Sequence, residues 1–396
     1  EVFSIEQWVT LIVNDSTLME SDWAYKKSGQ ILQIKKISGD TLYFKSSFRR
    51  AHSIESGPRL RIMNPRKYVG IENLYIERVD AVDAQTTNIY FSRAVNSWII
   101  GVESYKTNYA HASFIYSSNM TLKGSYFHHS HSYGDGGRGY GIVLDFTTGE
   151  SLIENNMFNN LRHSVLLQCG SNGNVISYNH SINPYWTEVI FLPSNSAGDI
   201  VLHGNYPYSN LIEGNSNQHT VIDNSHGING QYNTVFRNKA ALYGIFMNNG
   251  AGNSTNIVGN DVTNTNSTMG LYTLTGSDNY QYGNRVKGAN SFKPSGTTDL
   301  TKESYYICQM PKWWNVGSWP NIGAPYPYNS TKIPAEIRWE NNTPLSYIPE
   351  LRLKHQNQTS IWYKDADNDS YGDPSITMES CSTPQGYVSN ALDCND

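Results

Sequence analysis

Six segments that each close on an asparagine, a second ladder of short apolar strands ahead of them, and an acidic loop near the C-terminus predict an all-β chain. The predicted architecture is a right-handed parallel β-helix, a solenoid, followed by a small calcium-binding module. The first ladder reads "LIENN", "VISYN", "LIEGN", "TVFRN", "NIVGN" and "YQYGN", closing at Asn156, Asn179, Asn215, Asn238, Asn260 and Asn284. The gaps are 23, 36, 23, 22 and 24 residues, so one coil carries an insertion, "SINPYWTEVIFLP" and its flanks. A period this short is too small for a propeller blade and regular enough to set aside a sandwich. Stacked coils lie about 4.8 Å apart, so each needs its neighbours to bury its core. A repeated Asn at one corner forms an amide ladder, each side chain bonding the next.

The second ladder is "FIYSS", "GIVLDF", "SVLLQC", "DIVLHG", "TVIDNS", "GIFMNN" and "LYTLTG", each an apolar run that ends in a polar residue. Residues 1–95 are strand-rich, with "GQILQIKKISGDTLYFKSSF" reading as a hairpin around Gly39-Asp40. They are expected to form N-terminal coils and a cap, since a solenoid must cover its open edges. The Trp- and Pro-rich stretch 301–352 is expected to cap the last coil or to run along one side. The helix domain is thus assigned to 1–355 and the module to 356–396.

Composition excludes several classes. The chain has 396 residues, 38% hydrophobic and 12% aromatic, enough for a sizeable core. With 16% charged residues and a net charge of −5, it lacks the basic footprint of a nucleic-acid binder. No run of 18 apolar residues exists to span a membrane as a helix. No leader pattern is present, as expected of a chain from which one has been removed. Four cysteines are too few for a disulfide scaffold. Cys169 and Cys308 are expected to be free thiols, while Cys381 and Cys394 are near enough in sequence to pair.

"DADNDSYGD" puts Asp365, Asp367, Asp369 and Asp373 at alternate positions, hard oxygen ligands that wrap a calcium ion. Ser370 stands where an EF-hand needs Gly, so the loop is not an EF-hand. Asp393 is a further ligand candidate. The ion's expected role is structural, and no cofactor is expected for catalysis.

Nine of the eleven histidines fall between His111 and His226. Aligning the coils on their apolar strands brings Asp145, Gln168, His203 and Asp223 into one outward slot, with His203 and Asp223 near hydrogen-bonding distance. The slot continues as Asn248 and Thr275. Any one of these residues alone reads as a solvated face; the row together reads as a sugar groove. His226 follows Asp223 by three residues. Arg162 and His163 precede the Gln168 strand, and Arg237 sits in the next turn. The insertion offers Trp186 and Glu188, the Gly-rich loop offers Arg138 and Tyr140, and Tyr178 is a further lining candidate. Aromatic faces stack on sugar rings, and Arg grips sulfate or carboxylate through its fork.

The stretches "LRHSVLLQCGSNGNVISYN", "VIDNSHGINGQYNTVFRN" and "PKWWNVGSWPNIG…IPAEIRW" resemble the secreted β-helical polysaccharide-degrading enzymes of marine Bacteroidetes, most of all the endo-fucanases. The tail "DADNDSYGD…CSTPQGYVSNALDCND" resembles a thrombospondin type 3 calcium repeat. The first resemblance implies an endo-acting hydrolase of sulfated fucan; the second implies structural calcium and a Cys381–Cys394 bridge. Both fit a secreted, cell-surface or periplasmic protein. The expected partner is a polysaccharide, and the expected state a monomer.

Three readings stay open at this level. In a glycoside hydrolase, Asp223 and Asp145 are the carboxyl candidates, with Glu188 a third, and His203 and His226 tune or replace them. In a polysaccharide lyase, His203 or His226 is the base, and Arg162, Arg237 or Gln168 neutralises a uronate. The third reading is a non-catalytic carbohydrate-binding solenoid.

Overall fold

The computed structural model describes residues 3–134, 136–186, 198–288, 291–328, 332–346, 360–380 and 382–393. By internal contacts the chain forms two compact units, one of residues 1–300 with 321–347 and one of 301–320 with 348–396. The boundary expected at 355/356 lies outside the described residues.

The first unit is a parallel β-helix with three faces per coil. One coil shows the pattern. Strand Leu152–Glu154 lies on the first face, Met157–Asn159 on the second and His163–Leu167 on the third, before Val175–Ser177 returns to the first. Each strand pairs in parallel with its counterpart one coil on, as Leu152 with Val175, Met157 with His180 and Val165 with Ile200. Ile153, Phe158, Val165, Leu167, Ile176, Leu202, Ile212 and Ile222 point inward and merge into one continuous core.

The corner between the first and second faces carries the predicted asparagine ladder. Asn156 Nδ2 donates to Asn179 Oδ1 (2.9 Å), Asn179 to Asn215 (3.0 Å), Asn215 to Asn238 (2.8 Å), Asn238 to Asn260 (3.1 Å) and Asn260 to Asn284 (2.9 Å). Each Oδ1 also accepts the backbone N–H of the Asn one coil below, so a buried amide is satisfied at every step. A second ladder, Asn174–Asn210–Asn233, lines the corner that leads back to the first face.

The predicted hairpin is present, with Ser38 opposite Thr41, within a four-stranded antiparallel sheet at the N-terminus. The insertion falls between His180–Ile182 and Ile200–Leu202, the second and third faces of one coil. Within 321–346, helix Pro334–Glu340 lies along the second face: Glu336 pairs with Lys239 (2.7 Å) and Arg338 donates to Asn155 Oδ1 (2.8 Å). Pro at the first helical turn needs no donor there, which suits this short helix.

The second unit holds a three-stranded antiparallel sheet, with Ser360–Lys364 between Asp373–Ser380 and Tyr387–Val388. Cys169 is free and buried, as expected. Cys308 is not the expected free thiol: it is disulfide-bonded, to a partner outside the described residues. Cys381 and Cys394 are themselves outside the described residues.

Candidate active site

The third face fixes the site by register. Leu144 lies opposite Leu167, Leu167 opposite Leu202, and Leu202 opposite Ile222. The next residue in each coil is Asp145, Gln168, His203 and Asp223. These four therefore form one row, stepping about 4.8 Å per coil. They sit where each strand ends and the chain turns toward the second asparagine ladder, a point where a polar side chain no longer displaces core.

His203 Nδ1 lies 2.7 Å from Asp223 Oδ2, and the Ser225 N–H donates to Asp223 Oδ1 (3.0 Å). Gln168 Nε2 donates to Asp145 Oδ2 (3.2 Å), and the Phe146 N–H to Asp145 Oδ1 (2.8 Å). All four side chains are nearly buried; Asp145 is 4% exposed and Asp223 8%. Burial acts on the two carboxyls with opposite outcomes. For Asp145 it prevails over the Phe146, Gln168 and Cys169 hydrogen bonds and pushes the group up to about 7. For Asp223 burial also pushes upward, but the charge and hydrogen bond of His203, the Ser225 N–H and His163 outweigh it and hold the group below its ordinary value. Two carboxyls driven apart in this way are suited to acid and base roles at neutral pH. The Asp223 carboxylate can only accept, so His203 Nδ1–H donates to it, which leaves Nε2 as the free end of the ring. Nε2 has no hydrogen bond among the described residues.

Two more histidines flank this pair. The His163 ring lies 5.6 Å from His203, and the His226 ring 5.1 Å, edge-on. Burial, with the Arg162 and His203 charges, pushes His163 well below its usual range; its Nδ1 bonds Gly198 O (2.8 Å) and its buried Nε2 has no partner among the described residues. Burial and His203 also lower His226.

One side of the row is aromatic. Tyr140 stacks on His163 (5.1 Å), and the Arg162 guanidinium lies 3.6 Å from the Trp186 ring centroid while donating to Gly134 O (2.8 Å). The other side is supplied from far away in sequence. The buried Asp15 carboxylate binds the N–H groups of Lys26 (2.6 Å) and Ser28 (2.8 Å), closing a loop. Asn205 Oδ1 accepts from Glu20 N (3.0 Å) and Ser21 N (3.2 Å), and Thr147 donates to Lys27 O (2.5 Å). This seats Trp23 edge-on against both Phe146 (5.8 Å) and His226 (5.6 Å). Gly204 is required here: its φ is +78°, and a Cβ would fall 2.6 Å from the His226 carbonyl carbon. Trp23 is a part of the site that the functional reading of the sequence did not assign, whereas Tyr140 is one of the Gly-rich loop's groove candidates. Coil alignment brings Tyr140 into the row of His163; nothing in the periodicity points to Trp23.

Several sequence-based assignments need correction. Arg237 is 2% exposed and lies at the first asparagine corner, where its guanidinium donates to Ile322 O (2.9 Å), Ala324 O (2.9 Å) and Leu300 O (3.3 Å). It ties down returning chain and is not in the groove. Tyr178 occupies the same corner one coil pair earlier, buried with its hydroxyl 3.5 Å from Glu213 Oε1. Both residues directly precede a ladder Asn in left-handed conformation (φ 51° and 52°), which faces their side chains away from the third face. Arg138 lies in the loop that receives Arg162, but it is engaged by Asp83, donating to its carbonyl (2.7 Å). Glu188 lies outside the described residues. Asp145 and Asp223 are three coils apart, about 14 Å, too far for either carboxyl pairing used by glycosidases. The cavity beside Ile12, Lys26, Glu55 and Arg59 is at the N-terminal sheet and is lined by none of these groups.

In the second unit, ligand oxygens of Asp365, Asp367 and Asp369 converge within 4.8 Å of one another. Left-handed residues Asn368 and Ser370 curl the loop around them. The donor set is all oxygen and suits calcium. Asp373 and Asp393 do not join that group: the Asp373 carboxylate instead takes Ser375 N (2.7 Å) and Ser375 Oγ (2.8 Å) at the start of a strand.

No family model and no curated protein matches this sequence. Similar solved structures include the Pseudomonas phage phi297 tailspike gp61, with TM-score 0.48 and 15% identity over 73% of this chain and 44% of that one. They also include the Gp54 tailspike of Acinetobacter baumannii bacteriophage AP22, in complex with A. baumannii capsular saccharide, with TM-score 0.26 and 11% identity over 71% of this chain and 60% of that one. This chain spans less than two thirds of the length of either tailspike, and neither likeness assigns it to a family.

Proposed function

We propose that this protein is an endo-acting polysaccharide-cleaving enzyme, a glycoside hydrolase for an anionic glycan. The observation that carries the reading is the 2.7 Å His203–Asp223 pair in one row with the raised carboxyl of Asp145. His203 Nε2 takes a proton from water as its oxygen attacks the anomeric carbon, and Asp223 stabilises the imidazolium that forms. Asp145, protonated near neutrality, gives its proton to the leaving glycosidic oxygen as the C–O bond breaks. Asp145 and His203 are two coils apart, about 10 Å, which leaves room for that water and favours inversion. Trp23, exposed beside the row, offers its ring to a sugar, while the buried Tyr140 backs His163. His226 and His163 keep the base in a dry, aromatic setting. Sulfated fucan is the substrate to try first, on the strength of the sequence resemblance. The protein acts outside the cytoplasm as a monomer, and calcium, supported by the thrombospondin-like tail, is held by Asp365, Asp367 and Asp369 as a structural ion of the second unit.

A lyase reading draws on one specific observation. The Gln168 amide stands one coil from His203 and the Asp145 carboxyl, bonded to it, one coil further, where together they would neutralise a uronate carboxylate while His203 removes the adjacent proton. One assay separates the two. New reducing ends on sulfated fucan without absorbance near ~232 nm support the hydrolase. A rise at that wavelength on alginate or pectate replaces it with the lyase. Binding without any product leaves the non-catalytic solenoid.

A further inference from the structure

The row that carries Asp145 extends beyond it. Ile115 lies opposite Asp145, and Ser92 opposite Ile115. The residues that follow these three, Arg93, Tyr116 and Phe146, form a parallel column at the turn. The Tyr116 and Phe146 rings stack at 5.3 Å and 15°. The Arg93 guanidinium carbon lies 5.0 Å from the Tyr116 ring centroid, and Lys27 Nζ, from the N-terminal loop, lies 5.2 Å from the same centroid. Neither cation has a carboxylate partner among the described residues. Three nearly buried cations of the helix do have such partners: Lys123 pairs with Glu154, Lys239 with Glu336 and Arg285 with Asp261. Two like charges on one ring repel each other, and the ring quadrupole offsets only part of that cost. An anion between them would relieve the rest.

The arrangement is also built in place. Asp15 fixes the backbone on both sides of Lys27, and Thr147 takes the Lys27 carbonyl. Arg93 is exposed and Lys27 and Tyr116 are partly exposed, so an incoming group can reach them. We infer that Arg93, Lys27 and Tyr116 form a subsite for the anionic substituent, sulfate ester or carboxylate, of a sugar bound one coil beyond Asp145. The inference rests on the proposed polysaccharide-cleaving function and adds the group that selects a charged substrate.

The test is affinity electrophoresis of the full chain in gels containing sulfated fucan, its chemically desulfated form, or polygalacturonate, with cleavage of the same polymers measured in parallel. Wild-type protein is retarded by a charged polymer and not by the desulfated one. Arg93→Ala/Lys27→Ala binds about tenfold more weakly, with the thermal midpoint unchanged; on a cleaved polymer its KM rises by a similar factor while kcat holds. A control, Lys36→Ala/Arg59→Ala, removes two cations from the N-terminal sheet and leaves retardation as in wild type. Retardation by fucan alone identifies sulfate, and by polygalacturonate alone carboxylate. The inference is overturned if no charged polymer retards the wild type, if the double variant binds as tightly, or if the control weakens binding equally. Retardation that depends on Arg93 and Lys27 without any product sinks the catalytic reading and leaves the subsite standing. Cleavage with an unchanged KM in the double variant sinks the subsite alone.

Discussion

Replacing Asp223 with Asn tests the centre of the mechanism. The side chain keeps its shape, and Asn Oδ1 still accepts from His203 Nδ1, so the tautomer survives in part. What is lost is the negative charge facing the imidazolium that forms when His203 takes a proton. With a 2.7 Å hydrogen bond the charge centres are about 4 Å apart, and at an effective dielectric of about 20 their attraction is ~4 kcal/mol. That corresponds to a loss of roughly a thousandfold in kcat. The folded state loses far less, about 1 kcal/mol, because the hydrogen bonds from His203 and Ser225 weaken and do not vanish. The assay is the initial rate of reducing-end release on sulfated fucan, paired with the urea midpoint. His203→Ala in the Asp223→Asn background should cost little more than either change alone, since the two act as one unit. A rate within about threefold of wild type, with the fold intact, would refute the dyad.

Three other outcomes follow from the same structure. Because Asp145 is pushed up to about 7 and must be protonated to act as acid, kcat should fall as pH rises through that value. Asp145→Asn should be slow and should lack that limb of the pH profile. Buried histidines govern acid stability: His111 and His219 are lowered from 6.5 to about 3, and His180 to about 4, chiefly by burial. Below pH ~6.5 the unfolded chain binds protons that these folded rings refuse, so their contribution is complete above that pH and is lost as pH falls toward 4. Asp145 and Asp199, raised to about 7 and about 6, act in the opposite sense, losing stability as pH rises from about 4 through those values. The histidines outnumber them, so the urea midpoint should be lower at pH 5 than at pH 7; an unchanged or higher midpoint would show that the rings open to water first. Finally, chelation should destabilise the second unit, with protection from proteolysis restored by calcium in the wild type and not in Asp367→Ala.

The row Asp145–Gln168–His203–Asp223 was legible in the sequence because two periodicities fix it. Side chains alternate along each strand, and Val201-Leu202 aligns with Val221-Ile222, so the residue after each apolar run shares one outward slot. The asparagine ladder was legible for a similar reason: a corner that buries an amide once per coil needs the same amide in every coil. By contrast, Arg237 and Tyr178 follow strands just as His203 does, and nothing in their spacing says that their corner faces a different flank. The chain that covers Arg237, 322–324, lies some 85 residues away.

The sequence by itself thus determined the solenoid, its register and which ionisable groups share a slot, because a repeat makes those properties local. Only the tertiary structure decided how deeply each group is buried. That burial pushes both carboxyls upward, and the His203 contact, with the Ser225 N–H and His163, is what holds Asp223 low while Asp145 rises. It also decided that residues 15–28, remote in sequence and outside the repeat, wall the site with Trp23 and Lys27. Burial and long-range contact depend on what packs against a coil, and no period along the chain encodes that.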